Sequence, residues 1–560
     1  MVLLLIFELG SSSFTTFAAG PSLDHFFPVA LQLGTTNAVT AIGKFDPWPV
    51  KVWVDAPGIE FRAETNAGNF SITIAPDAPI GPHLVRVFNE QGASGPRFLL
   101  VTREPQFAEQ EPNDDFSKPQ IIENFPVWIN GRLEKSGDVD CFAVKLNAGQ
   151  TIIAALEAYT LASPLDAVLR LVDARGVEVA FNHDDGRTLD PFLAWTAKQA
   201  GIYVLQVFGF AYPADSTVAF TGNSKCVYRL HLSHGPWLRH TLPLGVQRGM
   251  KIKLHGVGWN FGSNSEPSFE FDGSSLPSDC EQTKVRFPGF DNEVVALVGD
   301  GVELEEQEPN DSLAEANALK VPGAVTGSIG RVGDEDRFRF VAKKGERLWF
   351  QIHSSRLGFP LDAWLKIEDA GGKSLARSDE NSMADPELEW TAPEDGSFVT
   401  AVGSVLHRGG FDHRYRLSVT RTIAGIKAVV AADAFVLEAG KTNEIKVTVT
   451  RQFGFAAKLQ ASAKDLPVGI SVAPVDAPEK NGDVTLKLVA NADAKPFSGP
   501  FEIVVSEVQS KREHVAAASL VTTGINNGVP NGYSQLVIES VKQLWLTVTS
   551  PPAKAEEPKK

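Results

Sequence analysis

The chain repeatedly passes through short stretches in which apolar side chains alternate with polar ones, or form one brief apolar block. Examples are VKVWV (50–54), FSITIAP (70–76), HLVRVF (83–88), YVLQVFG (203–209), LWFQI (348–352), YRLSVT (415–420) and NEIKVTVT (443–450). Gly, Pro, Asn and Asp separate them. A period of two places alternate side chains on opposite faces of a strand, so each stretch is predicted as a sandwich strand. Long runs at helical spacing are nearly absent. SLAEANAL (312–319) is predicted as one short helix, capped by Asp311 or Ser312. The predicted fold class is all-β, with tandem β-sandwich domains of jelly-roll or Ig-like type in series.

Two blocks of this pattern repeat. EQEPND at 109–114 recurs at 306–311, an offset of 197 residues. SGDVDCFAV (136–144) aligns with VGDEDRFRF (332–340), and PLDAVLRLVDARG (164–176) with PLDAWLKIEDAGG (360–372), both at offset 196. DPFLAWTA (190–197) aligns with DPELEWTA (385–392) at offset 195. CVYRLHLS (226–233) aligns with DHRYRLSVT (412–420) after a change in loop length. Matched order with a slowly drifting offset indicates duplication of a unit of about 115 residues, one domain's worth.

The expected organisation follows. Residues 25–103 form an Ig- or TIG-like sandwich, 108–233 the first repeat, 236–304 a β-rich spacer or small Ig/TIG-like domain, 305–420 the second repeat, and 423–548 a further Ig-like sandwich. GINNGVPNGYSQ (524–535) is expected to be a turn-rich loop within the last of these, and 549–560 a disordered polar tail. Residues 1–20 read as a secretory signal, a short apolar run followed by small residues. No Lys or Arg precedes that run and Glu8 interrupts it; a start codon placed too far downstream would account for this. No later run approaches the roughly 20 apolar residues that span a bilayer. The expected location is therefore periplasmic, cell-surface or extracellular.

Composition changes this picture in two ways. A formal net charge of −16 argues against phosphate-backbone binding and hence against nucleic-acid partners. The same acidity fits either simple solubility or the holding of cations. Three cysteines, Cys141, Cys226 and Cys280, have spacings that match no zinc motif and allow at most one disulfide. Cys141 and Cys226 both fall in the first repeat, and whether they pair is left open.

The repeated acids carry the candidate chemistry. Pro112 and Pro309 favour an extended residue before them, which would put Glu109, Glu111 and Asn113 on one face, with Asp114 at the following turn. Calcium takes six to eight oxygen ligands, so one segment alone is insufficient. The next acid pair shared by both copies is Asp138 and Asp140, matched by Asp334 and Asp336, in GDxD turns that a glycine tightens. These could complete one calcium site, or two adjacent ones, per repeat. No Cys or His recurs with them, which disfavours a soft-metal site. The alternative reading is that the acids only line exposed turns and cap a helix.

Other polar positions read as structural. Asp166 and Asp362 in PLDA are expected to order β-turns, His183-Asp184-Asp185 to form a solvated turn, and Trp195 and Trp390 to be core residues. GxSxG, HExxH, a Walker loop and a post-strand GxGxxG are all absent, so no catalytic residue is assigned.

Together, the ExEPND segment, the GDxDxF turn, the PLDAxLxxxDxxG hairpin and the final YRL strand resemble the bacterial pre-peptidase C-terminal (PPC) domain, over roughly 108–233 and 305–420. The resemblance implies a small β-sandwich appended to secreted proteases and other exported proteins, related to the collagen-binding domains of clostridial collagenases. In those relatives the acidic segment and the acidic turn hold calcium. Carried over, it implies ligands Glu109, Glu111, Asn113, Asp114, Asp138 and Asp140 in the first unit, and Glu306, Glu308, Asn310, Asp311, Asp334 and Asp336 in the second. The GDxD turn is one residue tighter here than in the collagenases. The whole layout resembles large exported proteins of planctomycete-type bacteria. The function expected is non-catalytic: adhesion or binding of an extracellular protein or polysaccharide by calcium-stabilised modules. The alternative is an accessory module of a secreted peptidase or other hydrolase.

Overall fold

The computed structural model describes residues 20–551 except 186–187, 214–215, 217–218, 263–265, 380–384 and 522–535. The expected signal segment at 1–20 (Gly20 apart), the stretch 524–535 expected to be a turn-rich loop, and most of the expected tail at 549–560 lie outside the described residues. The described chain is all-β: ten sheets, three short 3-10 turns and no α-helix. Among the described residues no helix is long and apolar enough to cross a membrane.

The sheets stack face to face in pairs around separate apolar cores. The alternation of buried and exposed side chains along Thr442–Gln452 and Gly482–Ala490 shows why: each strand presents one apolar row to the facing sheet. The first sandwich joins Ser22–Phe27, Thr36–Lys44, Asn69–Ile74 and Ile59–Ala63 to a second sheet of Ala30–Gln32, Arg97–Thr102, Gly81–Phe88 and Lys51–Val54. A small third sandwich, Trp237–Gly299, has three strands per sheet, and the last, Gly425–Thr549, has two large sheets.

The two remaining sandwiches share one topology. In the first, Gln120–Ile122, Asp140–Leu146, Gly201–Ala211, Leu165–Val172 and Glu178–Asn182 lie side by side in that order. They face Phe192–Thr196, Thr151–Glu157, Val227–Ser233, Val127–Arg132 and Gln106–Ala108. In the second, Asn317–Ala318, Glu335–Ala342, Gly396–Ser404, Ala363–Glu368 and Ser374–Ser378 face Glu387–Thr391, Arg347–His353, Arg414–Arg421, Gly323–Ser328 and Val302–Glu305, in the same two orders. Trp390 is buried in the second core and Trp195 packs against the first.

Three local expectations are corrected. Residues 312–319 are not helical: a turn leads into Asn317–Ala318, which pairs in parallel with Phe338 and Arg339. The Asn317 amide bridges to Gln307 in both directions (2.7 and 2.9 Å), so sheet pairing and this clasp override weak helix propensity. Asp166 lies inside a strand rather than a turn, and His183 is half-buried against it, Nε2 to Oδ1 3.1 Å. On the question of pairing, all three cysteines are free. Cys141 packs with Ala143, Val172 and Val204 on the outer face of its sheet, whereas Cys226 lies in the core between the sheets.

The sandwiches are not beads on a string. Asn130 Oδ1 accepts from Val29 N and Ala30 N (3.1 and 3.0 Å), tying the first sandwich to the second. Leu244 N donates to Thr326 Oγ1 (2.9 Å), tying the third to the fourth. The first also meets the last. Arg86, fully buried, pairs with Asp433 at 2.6 Å, and Trp545 packs edge-on to Trp53 and against Phe88. Val29, Ala30, Leu84, Phe98 and Leu100 thereby join the apolar core of the C-terminal sandwich.

Candidate metal centres

In each matched sandwich the acidic hexapeptide straps across one open end. Gln106–Ala108 runs parallel to Trp128–Asn130, and Glu109 N continues the ladder to Asn130 O (3.0 Å). Four residues on, Asn113 O accepts from Cys141 N (3.1 Å) of the opposite sheet. The second copy repeats this with Glu306 N to Thr326 O (3.0 Å) and Arg337 N to Asn310 O (3.1 Å). The Glu111–Pro112 and Glu308–Pro309 peptides are both cis. The strap thus links the two sheets and carries its acids over the gap between them.

The GDxD turn meets the strap from below. Gly137 and Gly333 have φ of 82° and 80°, which a glycine adopts without steric cost, and the turn closes through Asp138 N to Lys135 O and Asp334 N to Arg331 O. Asp138 Oδ2 accepts from Glu134 N (2.5 Å) and Asp334 Oδ2 from Gly330 N (2.7 Å). Glu111 Oε2 and Glu308 Oε2 each accept from the Asn two residues on (3.0 Å).

The sequence-derived residues are not all gathered equally. In the first unit Glu111, Asp114, Asp138 and Asp140 bring ligand oxygens within 4.8 Å of one another. Glu109 lies deeper. Its Oε1 accepts from Arg132 N (2.7 Å) and its Oε2 from the Tyr228 hydroxyl (3.1 Å), which also donates to Asp140 Oδ2 (2.5 Å). In the second unit the group within 4.8 Å is Glu306, Glu308 and Asp336. Glu306 Oε1 accepts from Ser328 N (2.6 Å) and the Tyr415 hydroxyl donates to Asp336 Oδ2 (2.6 Å). Asp311 pairs with Arg331, as does Asp334 at 3.5 Å; in the first unit Asp114 pairs with Lys135, as does Asp138 at 3.7 Å.

Burial makes these carboxyls reluctant to ionise. Burial first, then the neighbouring Asp140 charge, pushes Glu109 up to about 10; burial pushes Asp140 up to about 7. In the second unit Asp336 rises to about 10, through burial and Glu306, and Glu306 to about 7, through burial. Each pair therefore titrates as a unit that keeps a proton at neutral pH. Asp138, Asp334, Glu111 and Glu308 are also raised, chiefly by burial.

The donor set suits a hard divalent cation. Asn113 and Asn310 are buried with neither side-chain atom hydrogen-bonded, and Asp140 Oδ1, Asp336 Oδ1, Asp138 Oδ1, Asp114 Oδ1 and Glu306 Oε2 are buried without a hydrogen-bond partner. A buried oxygen without a donor costs about 1–3 kcal/mol, so several in one place need a cation or protons to satisfy them. Carboxylates and amide carbonyls without thiolate or imidazole are calcium-type ligands. Asn113, Glu111, Asp114, Asp138 and Asp140 in the first unit, and Asn310, Glu306, Glu308 and Asp336 in the second, are the residues that can hold it; Asp311 and Asp334, whose charges act on Glu308, can join the second set once Arg331 releases them.

Sequence reasoning missed the residues that hold the acids in place. Tyr228 and Tyr415 are completely buried and belong to the repeated YRL strand. Gly131 and Gly327, at offset 196, make room for them: a Cβ on Gly131 would lie 2.1 Å from the Tyr228 ring, and one on Gly327 2.4 Å from the Tyr415 hydroxyl. Lys135 and Arg331 likewise share an offset of 196. A third group, Asp166, His183 and Asp184, brings ligand atoms within 4.8 Å in the first unit and has no counterpart among the described residues of the second, with the His183 side chain raised in pKa by its hydrogen bond to Asp166.

No family model matches the chain. Over 117 residues, 20% of its length, the chain is 33% identical to a probable subtilase-type serine protease of Deinococcus radiodurans, covering 16% of that protein. Among solved structures it is similar to the pre-peptidase C-terminal domain of a Bacillus anthracis collagenase, with 16% identity, 20% of this chain, 99% of that one and a TM-score of 0.17. It is also similar to domains 1–6 of the surface layer protein SbsC, with 8% identity, 95% of this chain, 54% of that one and a TM-score of 0.16.

Proposed function

We propose that this is an exported, non-catalytic binding or structural protein whose two matched sandwiches are PPC-type modules stabilised by calcium. The observation that carries this reading is the set of buried oxygens without a hydrogen-bond donor on Asn113, Asp138 and Asp140, with those on Asn310, Glu306 and Asp336 in the second unit. Calcium would satisfy them and pin the strap to both sheets, fixing the segment that enters each module. The partner would be an extracellular protein or polysaccharide. Thermal unfolding in calcium and in EDTA tests the metal, because a ligand that binds only the native state must raise its melting temperature. The expected result is a calcium-dependent rise that shrinks in an Asp138→Ala, Asp334→Ala double variant. No shift at millimolar calcium would return the acids to the role of turn residues.

The 117-residue likeness to a subtilase-type protease favours a second reading, in which the chain serves a secreted peptidase as an accessory. A gene for an exported protease beside this one, and co-elution of the two purified proteins, would support it. An isolated gene would favour the independent role.

A further inference from the structure

Each acidic cluster carries its own cation. The Lys135 ammonium bonds to Asp114 and lies 3.7 Å from Asp138; the Arg331 guanidinium bonds to Asp311 and lies 3.5 Å from Asp334. The two residues occupy the same place in the two units, three positions before the first Asp of each GDxD turn. Their side chains are 63% and 68% exposed, whereas those of Asp138 and Asp334 are 0% and 3% exposed. Asp138 and Asp334 are therefore fixed in the fold, Asp114 and Asp311 are one-third exposed, and the cations are free to swing into water. Asn113 and Asn310, each next in sequence to the paired Asp114 or Asp311, are buried with unpartnered amide atoms, which point to a ligand that neither Lys nor Arg provides for.

We infer that Lys135 and Arg331 are tethered counter-ions, and that a divalent cation enters each cluster by exchanging with that side chain. This rests on the calcium reading above. The exchange replaces one positive charge with two: a side-chain cation leaves two carboxylates for solvent, and the arriving dication neutralises both. Lys135 and Arg331 thus stabilise the metal-free module and weaken its grip on metal. The two clusters also differ. Arg337 reaches the Asp311 carbonyl in the second unit, where the first has neutral Cys141. Arg331 adds the planar fork that matches carboxylates better than an ammonium does. The second cluster therefore binds the weaker calcium ion.

The test is a calorimetric calcium titration of the full chain, alongside melting in EDTA, for the wild type, Lys135→Met, Arg331→Met and the pair; methionine keeps the apolar stem. An exposed ion pair of this kind corresponds to roughly a 1.5- to fivefold gain in calcium affinity when the competing charge is removed. The expected result is that gain together with a lower melting temperature in EDTA. Opposite signs distinguish exchange from a merely structural role, which would lower both. Lys135→Met acts on the tighter of two binding steps and Arg331→Met on the weaker. Calcium binding by the wild type with equal or weaker binding by both variants overturns the inference and leaves the calcium reading standing. Binding by the variants alone supports it. No binding by any of the four proteins overturns both.

Discussion

Tyr228 and Tyr415 each direct a single hydroxyl at a buried carboxylate from the opposite sheet, and each sits over a glycine that could be nothing larger. Tyr228→Phe removes the donor to Asp140 and Glu109. It is expected to cost about 1–3 kcal/mol in denaturant unfolding in EDTA, the range for a buried group left unpaired. Gly131→Ala drives a methyl into the Tyr228 ring and is expected to cost roughly 1–3 kcal/mol, with Gly327→Ala alike. Substitution of Gly137 acts differently: nothing lies within 4 Å of its Cβ position, so only its φ of 82° resists a side chain. At this scale the sequence displayed the acids but not their supports. A pair of letters such as Asn-Gly at 130–131 carries no sign of a tyrosine ring arriving from nearly a hundred residues away. The offset of 196 was the available signal, since it links Gly131 to Gly327 as surely as Asp138 to Asp334.

At the scale of the element, the strap and the turn act as one device because hydrogen bonds from both sheets fix their backbones. Alternation made the strands legible: YVLQVFG and NEIKVTVT lie within Gly201–Ala211 and Thr442–Gln452. The strap was harder to read. An extended segment would have put Glu109, Glu111 and Asn113 on one face; instead Glu109 turns in toward Tyr228 while Glu111 joins the outer group. Long-range pairing of Asn113 with Cys141 decides that outcome, and local propensity contains no trace of it. Because the inner carboxyls are raised to about 7 and about 10, metal entry must expel their protons. Calcium titration at pH 7 is expected to release protons, seen as an apparent binding heat that varies with buffer ionisation enthalpy. Equal heats in PIPES and Tris would contradict this.

Across the whole molecule, two sets of buried groups pull the pH dependence of stability in opposite directions. Burial lowers His25, His231 and His353 to about 3 from an unfolded value near 6.5. Unfolding lets them take protons, so their contribution is lost as pH falls from 6.5 toward 3. The raised inner carboxyls bind protons in the native state that the unfolded chain releases, so their contribution is lost as pH rises from about 4.5 through 7 toward 10. In EDTA the melting temperature is expected to fall between pH 6.5 and 9, and saturating calcium is expected to abolish that fall. The contact of the first sandwich with the last is a separate feature at this scale, and alternation and repeats gave no hint of it. Removing Asp433 strands the fully buried Arg86; Asp433→Ala is expected to cost about 3 kcal/mol, the low end for a buried pair, because Asp433 keeps one side in water. That contact also fixes how the chain carries tension. Pulled from residues 20 and 551, the load falls first on the Arg86–Asp433 and Trp53–Trp545 seam, which must part before the intervening sandwiches can align with the force. A single-molecule extension trace should therefore begin with one small rupture that lengthens the tether without unfolding any sheet.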